Sequence, residues 1–160
     1  MTMTKPERAI VTTPTDRLIH VERIVNATRD RVWRAFTDPK LVAQWWGGGS
    51  KLTIERDEVE KGGHWRYVGE SEKYGKHGFE GRYREVTPQE RIVRSFEWDG
   101  MPGYVLIESM TFEDLGDGRT KVMSDSLFHT TEERDGMLES MGTGMDESYE
   151  ALDRLLATMT

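Results

Sequence analysis

The stretch GRYREVTPQERIV, at residues 81–93, decides the fold. Segments rich in Tyr, Val, Ile and Arg lie on both sides of Thr-Pro-Gln-Glu, a run of residues typical of a tight turn. Strand-forming segments separated by so short a turn pair with each other in antiparallel fashion. Residues 81–93 therefore predict a β-hairpin.

The same alternation of strand and turn continues on both sides of this hairpin. Between residues 51 and 128, short segments with β-branched and aromatic residues alternate with turn signals, among them Asp-Gly at 99–100 and Gly-Asp-Gly at 116–118. Their spacing predicts about six antiparallel strands, and residues 18–25 predict one more upstream. We therefore expect a curved antiparallel sheet of about seven strands.

Helical patterns precede and follow the strand-rich region. Thr28 and Asp38 are suitable N-caps for two short helices, and Pro39 fits the first position of the second helix. Thr130, with Glu133 as its capping-box partner, begins a long C-terminal helix whose apolar residues recur on one side. These residues are Met137, Met141, Met145, Tyr149, Leu152, Leu155 and Leu156.

The order of the predicted elements is β-α-α-β6-α, in one α+β domain. Residues 1–15 mix Thr, Pro and charge and are expected to form a flexible arm, so that the single domain spans residues 16–160. The glycines at 47–49 end the second helix as a turn or as a hinge. A curved sheet crossed by one long helix leaves space between the two, which favours a ligand cavity.

Composition excludes several classes of function. The chain of 160 residues contains no cysteine, which excludes disulfides and thiolate metal sites and fits a reducing cytoplasm. Its net charge of -7 and its scattered basic residues argue against a nucleic-acid partner. The longest apolar runs are too short to span a bilayer, and the N-terminus lacks the apolar segment of a secretory signal. We therefore expect a cytoplasmic protein without membrane insertion.

Several stretches of the chain occur in the order and spacing of a known family. They are RIVNA at 23–27, VWRAFTDP at 32–39, QWW at 44–46, GGHW at 62–65, GRYREV at 81–86, PQERIV at 88–93, MTFEDLGDGRT at 110–120 and ESYEALDRLL at 147–156. Together they resemble the START-like, helix-grip SRPBCC superfamily and, within it, the family related to the activator of Hsp90 ATPase. The resemblance covers nearly everything after Asp16 and implies a curved antiparallel sheet wrapped around a long C-terminal helix.

Aromatic, methionine and serine side chains on the predicted strands and the last helix form the candidate ligand-binding set. Methionine adapts to ligands of irregular shape, and aromatic rings offer flat surfaces for stacking. For any one of these residues, packing in the core is the simpler interpretation, whereas the set as a whole fits a pocket lining equally well. The set comprises Trp65, Tyr67, Tyr83, Phe96, Trp98, Met110, Phe112, Ser124, Met137, Met141 and Met145.

Glu108 is the only catalytic candidate. Strict alternation places it on the same strand face as Met110 and Phe112, where it could orient a ligand hydroxyl or act as an acid or base. The simpler alternative is a carboxylate that reaches solvent or pairs with an arginine. The histidines at 20, 64, 77 and 129 occur singly, so neither a metal site nor a cofactor is predicted.

Four aromatic residues of the two early helices suit a gate over the mouth of the pocket. The alternative is that they pack these helices under the edge of the sheet. Packing is the preferred interpretation for Trp33 and Phe36, and both interpretations stay open for Trp46. The four residues are Trp33, Phe36, Trp45 and Trp46.

Three functions remain in competition. The leading hypothesis is that the protein binds a small hydrophobic molecule, lipid-, polyketide- or flavonoid-like, between the C-terminal helix and the sheet. The resemblance also implies an enzyme of the polyketide cyclase or dehydratase type in the same cavity, with Glu108 as its one named residue, or a domain that contacts Hsp90 as the co-chaperone does. Binding without catalysis is the preferred hypothesis, and a homodimer is compatible with all three.

Overall fold

The computed structural model describes residues 8–47, 51–72, 75–141 and 144–159. Within these ranges the strands are β1 (Ile10–Thr12), β2 (Leu18–Val25), β3 (Lys51–Asp57), β4 (His64–Ser71), β5 (Gly75–Thr87), β6 (Arg91–Trp98), β7 (Leu106–Asp114) and β8 (Thr120–Leu127). The helices are α1 (Arg29–Thr37), α2 (Pro39–Trp45), α3 (Thr131–Met141) and α4 (Gly144–Thr158). None of these described helices has the length and apolar character needed to cross a membrane.

All the described strands lie in one antiparallel sheet, in the order β1-β2-β8-β7-β6-β5-β4-β3. The chain leaves β2 through α1 and α2, enters the far edge as β3, and returns strand by strand until β8 pairs with β2. Register shifts between Ile54 and Arg56 in β3 and between Tyr83 and Glu85 in β5 interrupt the ladder, and such irregularities bend strands. The hairpin predicted at residues 81–93 is the junction of β5 and β6.

The helix-grip α+β architecture predicted from the sequence is confirmed, with one more strand than expected. The additional strand, β1, lies inside the segment expected to be a flexible arm, and its Val11 pairs with Val21 of β2. All three residues of β1 are exposed, so its sequence has no alternation of buried and exposed positions. Backbone pairing with β2 forms this strand, and composition does not reveal it. Residues 1–7 of the same segment lie outside the described residues.

The predicted long C-terminal helix is represented by α3 and α4, with residues 142 and 143 outside the described ranges. Helix α3 begins after Thr130, whose Oγ1 accepts a hydrogen bond from the backbone N–H of Glu133 at 3.2 Å, as predicted for an N-cap. No residue of α3 is buried, and the side chain of Met137 is exposed. The apolar stripe therefore contributes fully buried residues only in α4, while Met141 at the end of α3 packs against the core from its edge.

Helix α2 begins where the sequence predicts. The side chain of Asp38 accepts a hydrogen bond from the backbone N–H of Lys40 at 3.0 Å and so caps the helix. At the other end of α2, Nε1 of Trp45 donates to the carbonyl oxygen of Ala35 at 2.8 Å, which joins α2 to α1. Of the glycine turn predicted at 47–49, residues 48 and 49 lie outside the described ranges.

Helix α4 is fixed on two sides. It packs against α1 and α2, and its Leu152, Leu155 and Leu156 belong to the core. A partly buried ion pair joins it to β2, since Nη1 and Nη2 of Arg23 donate to Oδ1 and Oδ2 of Asp153 at 2.9 and 2.7 Å. Two parallel charge-assisted hydrogen bonds of this kind give both strength and a defined geometry. The ion pair therefore sets the position of α4 relative to the sheet.

We predict that Leu152→Ala lowers the free energy of unfolding by about 2–5 kcal/mol, because truncating a fully buried side chain leaves a space in the core. Leu138→Ala is the matched control: Leu138 lies on α3, its side chain is 37% exposed, and we expect a loss below about 1 kcal/mol. Urea unfolding followed by tryptophan fluorescence measures both. Equal losses would contradict the assignment of the core to α4.

Candidate functional site

A cavity of about 660 Å³ lies between the sheet, α2 and α4. Side chains from β4 to β8 form its floor, and side chains from α1, α2 and α4 cover it. Its apolar walls include Trp46, Phe79, Met110, Val122 and Met145. The volume lies within the range of about 300–1,000 Å³ that is typical of sites for small organic ligands.

One wall of the cavity consists of aromatic rings that meet edge to face. The ring centroid of Trp46 lies 5.2 Å from that of Tyr67 and 5.1 Å from that of Phe79, a favourable arrangement for aromatic pairs. Of the four aromatic residues considered as a gate, Trp46 therefore forms part of the wall. Trp33 instead packs against Phe112, with centroids 5.6 Å apart. The other two, Phe36 and Trp45, line the cavity as well.

The floor of the cavity contains a buried cation, the guanidinium group of Arg94, a residue that is 4% exposed. Its Nε donates to Oε1 of Glu108, the facing residue on β7, at 3.1 Å, and its Nη1 donates to the hydroxyl of Tyr67 at 3.3 Å. Its Cζ lies 4.0 Å from the ring centroid of Trp65, within reach of a cation–π interaction. Burial opposes the charged form, but the charge of Glu108 keeps the pKa of Arg94 above its ordinary value.

Gly81 makes room for Trp65 beneath Arg94. It lies on β5 directly opposite Trp65 on β4. A Cβ atom at position 81 would collide with the carbonyl oxygen of Ser95 and with Nε1 of Trp65. Because no side chain stands there, Nε1 of Trp65 donates to that carbonyl oxygen at 3.1 Å. The glycine thereby lets the indole stay in contact with the guanidinium group.

A carboxyl group, Asp57, lies next to the cavity floor. The hydroxyl of Tyr83 donates to its Oδ1 at 2.6 Å, and the hydroxyl of Tyr67 donates to its Oδ2 at 3.2 Å. Burial raises the pKa of Asp57 above its ordinary value, and the tyrosine hydrogen bonds and the charge of Arg94 offset only part of this effect. Since Tyr67 also accepts from Arg94, a continuous hydrogen-bonded chain runs from Glu108 through Arg94 and Tyr67 to Asp57.

Tyr149 of α4 lines the cavity from the helix side. Burial raises the pKa of Tyr149 to about 12, an effect that the nearby charge of Arg23 opposes and that of Glu108 reinforces. The hydroxyl is therefore protonated at neutral pH and able to donate a hydrogen bond. The guanidinium carbon of Arg23 lies 5.0 Å from the ring centroid and supports the ring by a cation–π contact.

Comparison with known families agrees with this geometry. The family model described as activator of Hsp90 ATPase homolog 1-like protein matches residues 26–157. The chain belongs to this family. The resemblance found in the sequence is thereby confirmed. Among curated proteins, none matches the chain.

Solved structures have the same fold as this member of the Hsp90-activator-like family. A protein from Rhodobacter sphaeroides is 25% identical, with a TM-score of 0.87 over 96% of this chain and 100% of its own. Protein CV1439 from Chromobacterium violaceum is 27% identical, with a TM-score of 0.75 over 89% of this chain and 99% of its own. DynU16, a protein of the dynemicin biosynthetic locus, is 24% identical, with a TM-score of 0.70 over 91% of this chain and 48% of its own, so this likeness concerns the fold alone.

The candidate ligand-binding residues occupy three environments of this Hsp90-activator-like domain. Those on the main cavity are Tyr67, Met110, Ser124 and Met145, together with the catalytic candidate Glu108. Those in or against the core are Trp65, Tyr83, Phe112 and Met141. Those on a separate hollow of about 470 Å³, between the β6–β7 connection and α3, are Phe96, Trp98 and Met137. Ligand binding by any of them stays a prediction.

Three of the histidine rings contact a carboxylate or a backbone carbonyl group. Nδ1 of His20 lies 2.6 Å from Oδ1 of Asp125, and Nε2 of His64 lies 3.1 Å from Oε2 of Glu80. His77 lines the cavity, and its Nδ1 lies 3.2 Å from a backbone carbonyl oxygen. Within the described residues, no group of three or more His, Asp and Glu side chains is arranged to hold a metal ion.

Three polar residues that make hydrogen-bonded or cation–π contacts of the site, Arg94, Asp57 and Tyr149, are missing from the sequence-based candidates, as are Ser71, His77, Glu147 and Ser148 of the lining. Arg94 has the same alternation phase as Phe96 in β6, and Tyr149 lies on the apolar stripe of the C-terminal helix, so both carry a signal in the sequence. Alternation fails for Asp57, because the register shift in β3 just before it reverses the direction in which the following residues face.

We predict that the free energy of unfolding of the wild type, measured relative to that of Asp57→Asn, falls as the pH rises from about 4 towards neutrality. The raised pKa of Asp57 means that the folded protein holds the carboxyl proton more tightly than the unfolded chain does. The resulting stabilisation is complete below the unfolded pKa and is lost as the pH rises through the folded pKa. Asn does not titrate, so the difference isolates this group.

Urea unfolding at a series of pH values measures this difference. Asp16→Asn, at an exposed position, is the control and should give a difference that varies little with pH. A difference for Asp57→Asn that is constant, or that grows with pH, would show that the carboxyl group is not held in its protonated form.

Proposed function

We propose that the protein binds a small, predominantly hydrophobic molecule in the cavity between α4 and the sheet. The observation that carries the proposal is the cavity itself, about 660 Å³ of space between aromatic and methionine side chains. Concave sites lined mainly by apolar and aromatic side chains, with a few polar groups among them, are the usual form of a small-molecule site. The space between α4 and the sheet has this form.

The lining supports a lipid-, polyketide- or flavonoid-like ligand. Trp46 and Phe79 offer flat surfaces to an aromatic or polycyclic body, and Met110 and Met145 adapt to its outline. A few polar groups among apolar walls are the usual means by which such sites orient a ligand. Membership of the Hsp90-activator-like family, and the fold shared with DynU16, are compatible with this function.

The hydrogen bond between Glu108 and Arg94 favours a binding function over a catalytic one. Its carboxylate accepts a hydrogen bond from Arg94 at 3.1 Å, and 19% of its side chain is exposed. A carboxylate next to a buried guanidinium group serves first to neutralise that charge, since an unpaired buried charge is strongly destabilising. We therefore assign Glu108 to holding Arg94 and not to acid-base chemistry.

Titration with N-phenyl-1-naphthylamine, an uncharged dye that fluoresces in apolar surroundings, tests the proposal. We expect saturable binding at one site per chain. Met145→Trp enlarges a side chain on the cavity wall and should weaken binding by about tenfold or more, because a filled site has no room for the dye. Met137→Trp is the matched control: Met137 lies on the separate hollow, and its replacement should change the affinity by less than about twofold.

Two results would overturn the proposal. One is the absence of saturable binding by folded wild-type protein, and the other is an equal loss of affinity in both variants, which would place the dye outside the cavity. Circular dichroism and thermal unfolding check that Met145→Trp folds. If it does not, Ser124→Phe on β8 fills the same cavity from the sheet side.

A further inference from the structure

Nη2 of Arg94 and the hydroxyl of Tyr149 have no hydrogen-bond partner among the described residues. Arg94 is 4% exposed and Tyr149 is 9% exposed. In the described part of the chain, every fully buried polar side-chain atom has a partner, so these two atoms must keep some exposure. Both residues line the cavity, which therefore accounts for that exposure.

An acceptor accompanies these two donors. Oε1 of Glu108 receives the Nε hydrogen bond of Arg94, and its Oε2 has no partner among the described residues. Glu108 lines the same cavity and is close enough to Tyr149 for its charge to raise the pKa of the phenol. The cavity thus contains a polar group of three residues, defined by Arg94, Glu108 and Tyr149, that presents both donors and an acceptor.

The charges of this polar group balance. The positive charge of Arg94 is paired with the negative charge of Glu108, and Tyr149 is neutral. A ligand carboxylate would bring a second negative charge next to Glu108 in a buried site of low dielectric constant, where repulsion is strong. A ligand without polar atoms would leave the donors of Arg94 and Tyr149 unpaired after water is excluded, which is also unfavourable.

We propose that the ligand is an uncharged aromatic molecule with a phenol- or hydroxyketone-type group, and that Arg94, Glu108 and Tyr149 bind this group. The ligand oxygen accepts from Nη2 of Arg94 and from the hydroxyl of Tyr149, and the ligand hydroxyl donates to Oε2 of Glu108. The aromatic body lies along the cavity wall that contains Trp46. This inference rests on the proposed binding function and narrows it, because it excludes fatty-acid anions.

Three probes that share one ring system test the inference: 2-naphthol, 2-methylnaphthalene and 2-naphthoate. They differ only in a hydroxyl, a methyl or a carboxylate group at the same position. Quenching of tryptophan fluorescence at pH 7 measures their affinities. We expect 2-naphthol to bind about tenfold or more tightly than either of the others, because a site built to hydrogen-bond a hydroxyl discriminates against analogues without it.

Two variants separate the contributions of the polar group. Tyr149→Phe removes one donor and should weaken 2-naphthol by about fivefold or more, while 2-methylnaphthalene is unaffected. Tyr104→Phe, at an exposed tyrosine outside the main cavity, is the matched control and should change neither affinity. Glu108→Gln keeps the size of the side chain and an acceptor for Arg94 but removes the negative charge. We expect it to increase the affinity for 2-naphthoate, relative to 2-naphthol, by about tenfold or more.

The possible outcomes distinguish this inference from the proposed function. Tightest binding of 2-naphthoate to the wild type, or equal binding of 2-naphthol and 2-methylnaphthalene, would overturn the inference and leave the cavity as a binding site. If none of the three probes binds while N-phenyl-1-naphthylamine does, the inference is overturned and the cavity remains a binding site. If the dye does not bind either, both the inference and the proposed binding function are overturned. Thermal unfolding measures whether Tyr149→Phe and Glu108→Gln are folded. The two variants test different contacts of the polar group, so if one of them misfolds, the other still tests the inference.

Discussion

The buried guanidinium group of Arg94 is the interaction on which the interior of this domain depends. An isolated charge in a medium of low dielectric constant is unfavourable by on the order of tens of kcal/mol, so the group depends on the partners that neighbouring strands supply. Strand β7 supplies Glu108 at the facing position, and β4 supplies Trp65 and Tyr67. A slip of one residue in any of these strands would turn the partner to the opposite face of the sheet. The buried charge therefore fixes the register of the sheet where it forms the cavity floor.

A second ion pair, between the buried Arg23 and the partly exposed Asp153, acts on the helix side of the cavity. Removing Asp153 would leave the guanidinium group of Arg23 buried without its carboxylate partner, which is destabilising. The two hydrogen bonds of this pair link α4 to β2, while the pair of Arg94 and Glu108 links β6 to β7 on the cavity floor.

Local signals predicted most of the fold, and fewer of them predicted the site. The hairpin at 81–93 and the helix start at Thr130 could be found because turn and capping residues act over a few positions. The alternation of apolar and polar residues along a strand, by contrast, predicts which residues face the interior of the domain. It does not predict which helix covers each of them. Arg94 and Phe96 share a phase in β6, yet Arg94 lines the main cavity and Phe96 lines the separate hollow. Asp57 escaped prediction because an irregularity in β3 reversed its phase.

Helix α3 has no buried residue. Detaching it from the sheet would expose no buried residue of its own, whereas detaching α4 would expose three leucines of the core and break the ion pair of Arg23 with Asp153. Local opening of a segment requires only the free energy of the contacts that it loses. We therefore expect α3 to open without unfolding of the rest of the domain, and its backbone amides to exchange with solvent faster than those of α4.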